Sequence, residues 1–293
     1  MANMQNKSDN NKSTINWYPG HMTKAVRMME ENLKLIDLVI ELVDARIPVS
    51  SKNPDIDRMA NGKYRLICLN KSDLADEKQN EAWIKYYQSK GFSVLKVNSR
   101  SGAGIKNLNN VILEVCKEKI ERDKKRGIKN RPIRAMICGI PNVGKSTFIN
   151  SVCKKAVAKT GNKPGVTKGK QWIRINKNIE LLDTPGILWP KFEDKKIGIN
   201  LAIIGSINDD ILITTDIAAE LIKNLKTNYS GVLANKYELD ESKDEYEILN
   251  NFSQIRRCLK KGGEVDSDKG AKLLIDDFRN GKILRITLEF PEE

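Results

Sequence analysis

The octapeptide Gly139-Ile-Pro-Asn-Val-Gly-Lys-Ser146 constrains this chain more than any other feature. It follows the apolar run Arg134 to Cys138 and opens a helix-forming segment, the strand–loop–helix context a G-x-x-x-x-G-K-S loop requires. Its glycines let backbone amides, those of Asn142, Val143 and Gly144 among them, curl around phosphates. Lys145 can then reach the β- and γ-phosphates, Ser146 can ligate magnesium, and Thr147 follows on the same helix start. The competing reading is a plain glycine turn between core elements. At ordinary residue frequencies the pattern arises by chance in about one chain in a hundred of this length, and its context makes a mere turn rarer still.

Apolar runs alternating with helix-like segments surround that loop. Leu38 to Asp44, Arg65 to Leu69, Ser93 to Val97 and Arg134 to Cys138 read as strands; Met22 to Leu35, Asp76 to Ser89 and Ile105 to Ile120 read as helices. Such alternation implies a mostly parallel sheet covered on both faces. Gln171 to Asn176 and Ile179 to Leu182 are joined by only Lys177-Asn178, so that pair must be an antiparallel hairpin and the sheet mixed. Between Lys117 and Arg134 a run of nine Lys/Arg and three Asp/Glu reads as a solvated linker or helix end. After Lys195 the strand pattern stops. Ile248, Leu249, Phe252, Ile255 and Leu259 form a helical stripe that Gly262-Gly263 is expected to close, and a second helix should run from Asp266 to Arg279. The expected organisation is a disordered tail over 1–14, a nucleotide-binding domain over 15–193 and a small, mainly helical domain over 194–293.

Asn70-Lys-Ser-Asp73 follows the strand ending at Leu69 and matches N-K-x-D. The carboxylate of Asp73 can accept hydrogen bonds from guanine N1 and the exocyclic amine, a donor pair adenine lacks, so the motif selects GTP. Alone it is ordinary loop chemistry. Asn98-Ser99 opens Asn98-Ser-Arg-Ser-Gly102, which fits the short loop whose backbone amide meets the guanine carbonyl. Asp183-Thr-Pro-Gly186 matches the D-x-x-G of a second switch, in which Asp183 holds magnesium through water and the Gly186 amide senses the γ-phosphate. Thr167 of Pro164-Gly-Val-Thr167 stands about 20 residues after Ser146 and suits a first-switch magnesium ligand. Asn142 either helps a potassium ion bridge the phosphates or only shapes the loop.

These motifs run in an unusual order, base elements first and phosphate elements second. The same sheet must therefore be entered at a different strand, which makes the domain a circularly permuted P-loop GTPase fold. The second switch then leads straight into the helical domain, offering a mechanical route for nucleotide state. Ras-like enzymes orient the attacking water with a glutamine after D-x-x-G; here that position is Ile187, which cannot hydrogen-bond water. His21, in Asn16-Trp-Tyr-Pro-Gly-His-Met22, is the candidate catalytic group, because permutation brings this segment near the second switch. A loop histidine packed on Trp17 or Tyr18 is an equal alternative at this stage.

Lys and Arg total 51 against 38 Asp and Glu, a formal charge of +13. That excess favours a polyanion, either nucleic acid or an anionic membrane. No segment approaches the roughly 20 apolar residues of a membrane span, and the first residues lack a signal-peptide core, so a cytoplasmic protein without stable membrane association is expected. The five cysteines lack C-x-x-C spacing and there is one histidine, which argues against zinc or a disulfide framework. Eight Lys/Arg and no Asp/Glu lie between Lys154 and Lys177. Arg256, Arg257, Lys260, Lys261, Arg279, Lys282 and Arg285 form a second RNA-facing candidate, with solvated helix faces as the alternative. No aromatic stacking platform is evident.

Taken together, W-Y-P-G-H-M (17 to 22), D-A-R-I-P (44 to 48), N-K-S-D, G-I-P-N-V-G-K-S, P-G-V-T, D-T-P-G and the terminal D-F-R-N-G-K-I-L-R-I-T-L-E (277 to 289) closely resemble the YlqF-type circularly permuted GTPases of ribosome biogenesis, over Ile15 to Phe290. The resemblance implies hydrolysis of GTP to GDP and phosphate stimulated by ribosomal particles, and late assembly of the large ribosomal subunit; the expected partners are the subunit precursor's rRNA and proteins, and a monomer is expected. It also implies a hydrophobic residue in place of the glutamine, with the histidine of the P-G-H segment in catalysis; Ile187 and His21 match. The asparagine-rich extension before Ile15 is outside the pattern. Two rival readings remain: a module that binds GTP only to lock a conformation, and a peripheral membrane GTPase favoured by charge alone.

Overall fold

The computed structural model describes residues 20–128, 131–160, 172–190, 192, 194–207 and 213–292, the side chains of 20–21 and 155–160 excepted. The expected tail, Trp17 and Tyr18, the His21 side chain, Pro164 to Thr167 and most of the basic stretch from Lys154 lie outside these residues.

Helix α1 (Gly20–Leu33) leads into β1 (Leu38–Asp44), followed by α2 (Pro54–Met59), β2 (Tyr64–Asn70), α3 (Glu77–Ser89) and β3 (Ser93–Lys96). A 3₁₀ turn (Ile105–Asn107), α4 (Leu108–Val115) and α5 (Lys117–Lys125) carry the chain back to β4 (Ile133–Gly139) and α6 (Lys145–Thr160). The hairpin β5 (Trp172–Asn176) and β6 (Ile179–Asp183) completes a six-stranded sheet of order β3-β2-β1-β4-β6-β5, with only β5 antiparallel. Every residue of β1 is buried, as a central strand covered on both faces should be. Strands β1 to β3 step outward on one side of the sheet, and the chain then returns to its centre for β4 and steps outward the other way. The crevice between β1 and β4 is therefore a topological switch point, where open α/β sheets bind ligands at the carboxyl ends of their strands.

Beyond the sheet come α7 (Lys195–Ile203), α8 (Thr214–Asn228), α9 (Val232–Tyr237), α10 (Glu245–Ile255) and α11 (Ser267–Arg279). Aspartates cap several of these helices: Asp194 accepts from the Lys196 amide, Asp244 from Tyr246 and Glu247, and Asp266 from Lys269. The hydrophobic core is continuous from the sheet through Leu201, Leu221, Phe252 and Phe278. Among the described residues no helix is long and apolar enough to cross a membrane.

Two expectations about elements need correction. Ile105 to Ile120 is not one helix: it opens as a 3₁₀ turn and breaks at Cys116 (φ −98°, ψ 14°). The i→i−4 bonds Cys116 N–H to Ile112 O (3.1 Å) and Ile120 N–H to Cys116 O (3.0 Å) persist across the break, so it is a kink that apolar periodicity does not register. Nor does Gly262-Gly263 close the stripe helix. α10 ends at Ile255. Arg257 then takes a left-handed φ of 53°, its N–H donates to Gln254 O (3.0 Å), and Cys258 N–H reaches back to Ser253 O (2.8 Å), the bond pair of a Schellman end. Ile255 and Leu259 consequently lie exposed, and the two glycines turn the chain between Leu259 and Val265.

Candidate nucleotide site

The register brings the motifs to one edge. Leu42 pairs with Gly139, Asp44 with Asn70, and Ile137 with Asp183, so each motif begins where its parallel strand ends. In the loop after β4, Gly144 adopts φ +103° and a Cβ there would stand 2.5 Å from Asn70 Nδ2, which excludes any larger residue. Gly186 is pressed on the same loop: a Cβ would stand 2.8 Å from Lys145 Nζ and 3.0 Å from Pro141 Cα. Lys145 is buried, and its Nζ donates to Gly139 O (3.2 Å) and Ile140 O (2.9 Å). Burial lowers its pKa to about 8, with Cys138 and Asp183 opposing the shift. Burial raises the Asp183 carboxyl, against the pull of Lys145. Ser146 and Thr147 are exposed at the start of α6.

The base-side motif is wired to the phosphate loop by side chains. Asn70 Nδ2 donates to Val143 O (2.8 Å), while its Oδ1 accepts from the Ser99 amide (3.1 Å) and hydroxyl (2.7 Å). Lys71 Nζ donates to Asn142 O (2.9 Å) and pairs with Asp44 (2.9 Å). Ser72 Oγ donates to Val97 O (3.0 Å), and Asn98 Oδ1 accepts from the amides of Arg100 and Ser101. Asn70, Lys71, Asp73, Asn98, Ser99, Gly144 and Thr147 line one cavity of about 180 Å³. Residues as far apart in sequence as Asn70 and Thr147 thus share one site.

Ile187 is fully buried, its amide donating to Gly139 O (3.3 Å) and its carbonyl accepting from Asn53 Nδ2 (3.3 Å). It belongs to the same apolar cluster as Ala25 and Met29 of α1, the helix whose first turn carries His21. The His21 side chain and Thr167 are outside the described residues. Asn142 adopts φ 57° and its Nδ2 donates to Gly205 O (2.6 Å).

Sequence reasoning missed Asp44 and Arg46 as site architecture. Arg46 donates to both carboxylate oxygens of Asp44 (Nε to Oδ1 2.9 Å, Nη2 to Oδ2 2.8 Å) with both side chains buried. Burial pushes the Asp44 carboxyl up, but Arg46 and Lys71 outweigh it and hold the group well below the usual carboxylate range. A signal was present: an aspartate ending a strand that is apolar apart from Glu41, two residues before an arginine. It missed Glu289 too. That buried carboxylate accepts from the amides of Val49 (2.6 Å) and Ser50 (3.1 Å), from Ser50 Oγ and from Asn200 Nδ2 (2.9 Å). Burial raises its pKa and these donors oppose the rise.

Of the C-terminal basic candidates, Arg256 pairs with Asp277 (2.8 Å), Lys282 pairs with Asp277 (3.3 Å), and Arg279 donates to Ile203 O (2.8 Å) and Ala202 O (2.7 Å). Arg257, Lys260, Lys261 and Arg285 are exposed.

A parallel-sheet switch point ringed by these loops defines a P-loop GTPase with its strands in permuted order. The family model described as 50S ribosome-binding GTPase matches residues 134–251. Proteins named ribosome biogenesis GTPase A from Bacillus cereus and Bacillus pumilus are 47% and 46% identical over 280 residues, 95% of this chain and 95% and 99% of theirs. Among solved structures, a GDP-bound YlqF (TM-score 0.65, 26% identity, 91% of this chain and 100% of that one) and a GNP-bound YlqF from T. maritima (TM-score 0.62, 27% identity, 92% and 99%) are similar. The chain belongs to the ribosome biogenesis GTPase A family. It is a guanine-nucleotide-binding GTP hydrolase with a role in ribosome biogenesis.

Proposed function

We propose that this protein is a GTP-hydrolysing switch that binds precursors of the large ribosomal subunit, through rRNA and ribosomal proteins, and assists their late assembly as a cytoplasmic monomer. The observation that carries this reading is the direct wiring of the N-K-S-D loop to the phosphate loop through Asn70 and Lys71, with Gly186 against Lys145. One nucleotide then spans both halves, its base at Asp73, Ser72 and the Asn98–Ser99 loop, its phosphates at Asn142 to Thr147. Residues 15–193 act as the GTPase domain and 194–293 as the helical RNA-binding domain, through its exposed cations.

Magnesium fits the donor set. Asp183 makes no ion pair among the described residues and burial raises its carboxyl, a penalty that a nearby dication relieves. Ser146 and Thr167 would ligate the ion and Asp183 would hold it through water; when bound, it would supply charge neutralisation at the β- and γ-phosphates. Asn142 donates its Nδ2 to Gly205 O and keeps Oδ1 for a potassium ion. His21 supplies the polar group that Ile187 lacks for orienting water.

The test is the GTPase rate with and without purified large-subunit precursors. Stimulation in the parent and its loss in His21→Ala are expected; an unstimulated rate that is equally indifferent to His21→Ala sinks the proposal.

A further inference from the structure

The cavity at the N-K-S-D loop is not walled by the GTPase half alone. Arg279 and Asn280, the last residue and the C-cap of α11, line it together with Asn70, Lys71 and Asp73. This helix end is held there firmly. Ile286 N–H donates to Leu74 O (3.0 Å), Asp76 N–H to Thr287 Oγ1 (3.2 Å), and Arg46 Nη1 to Arg279 O (3.3 Å). The Arg279 guanidinium is fixed on the carbonyls of Ala202 and Ile203, close in sequence to the Gly205 carbonyl that receives Asn142 of the phosphate loop. Base loop and phosphate loop therefore both touch C-terminal segments, the stretch after α11 and the turn after α7, beside the cavity. Asn280 uses its Nδ2 on Asp276 O (2.8 Å), and its Oδ1 accepts no hydrogen bond among the described residues. An acceptor is thus left at a cavity whose proposed occupant carries hydroxyl donors on its ribose.

We propose that the end of α11 is part of the nucleotide site: Asn280 binds the nucleoside half of the guanine nucleotide by accepting a ribose hydroxyl, against a wall set by Arg279. The proposal rests on the reading of N-K-S-D as the base site. Its consequence is a division of signals. The helical domain registers occupancy by GDP and GTP alike through α11, whereas the D-T-P-G segment leading into α7 registers the γ-phosphate.

In the full chain, Asn280→Ala should raise the Kd of GDP and of GTP by the same factor, about fivefold to tenfold, the effect of one hydrogen bond. It should leave the Kd of pyrophosphate and the unfolding temperature without nucleotide unchanged. In the parent, GDP should slow hydrogen exchange at the amides of Asn280 to Lys282 as much as a non-hydrolysable GTP analogue does. Unchanged nucleotide Kd overturns the proposal. So does a parallel loss of pyrophosphate affinity and unfolding temperature, which marks a structural role only. Asp73→Asn separates the two layers: if it abolishes guanine preference while Asn280→Ala changes nothing, the α11 proposal alone fails; if preference survives Asp73→Asn, the base-site reading fails with it.

Discussion

Around the phosphate loop the chain works mainly with backbone, whereas around N-K-S-D it works with side chains. Gly144, at φ +103°, and Gly186, against Lys145 Nζ and the Pro141 backbone, keep these segments close, and Lys145 rests on main-chain carbonyls. On the other side Lys71, Asp44 and Arg46 form a linked set of ion pairs, Asp44 and Arg46 buried and Lys71 half-buried, and the Asn70 side chain ties Val143 to Ser99. Phosphates are alike in every nucleotide and suit a fixed set of amides, while a base must be told from its rivals by directional acceptors. Substitutions should therefore act differently on the two halves, on turnover in one and on selectivity or rigidity in the other.

The sharpest break should come from Lys145→Ala, which removes the phosphate-side cation and should lower single-turnover GTP hydrolysis by about 10³-fold, with guanine preference intact. Next, Asp44→Asn leaves Arg46 buried without its counter-charge and should cost about 3 kcal/mol of unfolding free energy in denaturant titrations. Asp73→Asn should reduce preference for GTP over ATP by about 100-fold in competition binding while sparing affinity for pyrophosphate. The smallest effect separates the halves by pH. Lys145 has a pKa of about 8 in the protein, below its ordinary 10.5, and bound phosphates favour its protonated form. GDP affinity should hold steady below that value and fall by up to about tenfold per pH unit above it, with proton uptake on binding detectable in calorimetry across buffers. The sign reverses for the nucleotide-free fold. Between the two values the unfolded chain binds a proton the folded one lacks, so this group's contribution to stability grows with pH. A flat GDP affinity up to about pH 10 would place the phosphates away from Lys145.

The sheet and the motif positions were legible because they depend on local pattern. β1 runs from Leu38 to Asp44 as its apolar run predicts, and Asp266 caps the expected last helix. The rest depended on partners far along the chain. Glu289 closes the alternating stretch Ile-Thr-Leu-Glu and reads as a solvated strand end; the donors that bury it come from Val49, Ser50 and Asn200. Net charge misled in the same way. Arg256, Arg279 and Lys282 count equally with Lys260 as basic residues, yet carboxylates or carbonyls engage the first three, and nothing in the order of residues distinguishes a committed cation from one open to RNA. His21 and Thr167 remain readings of motif alone.

The Glu289 clasp also governs when this protein can finish folding. The amides of Val49 and Ser50 and the carboxylate that matches them stand 240 and 239 residues apart, so the donors are made long before their acceptor. A nascent chain can assemble its strands and still hold these buried donors unmatched until residue 289 has left the ribosome, so this part of the fold closes only after a segment made about 240 residues later has arrived.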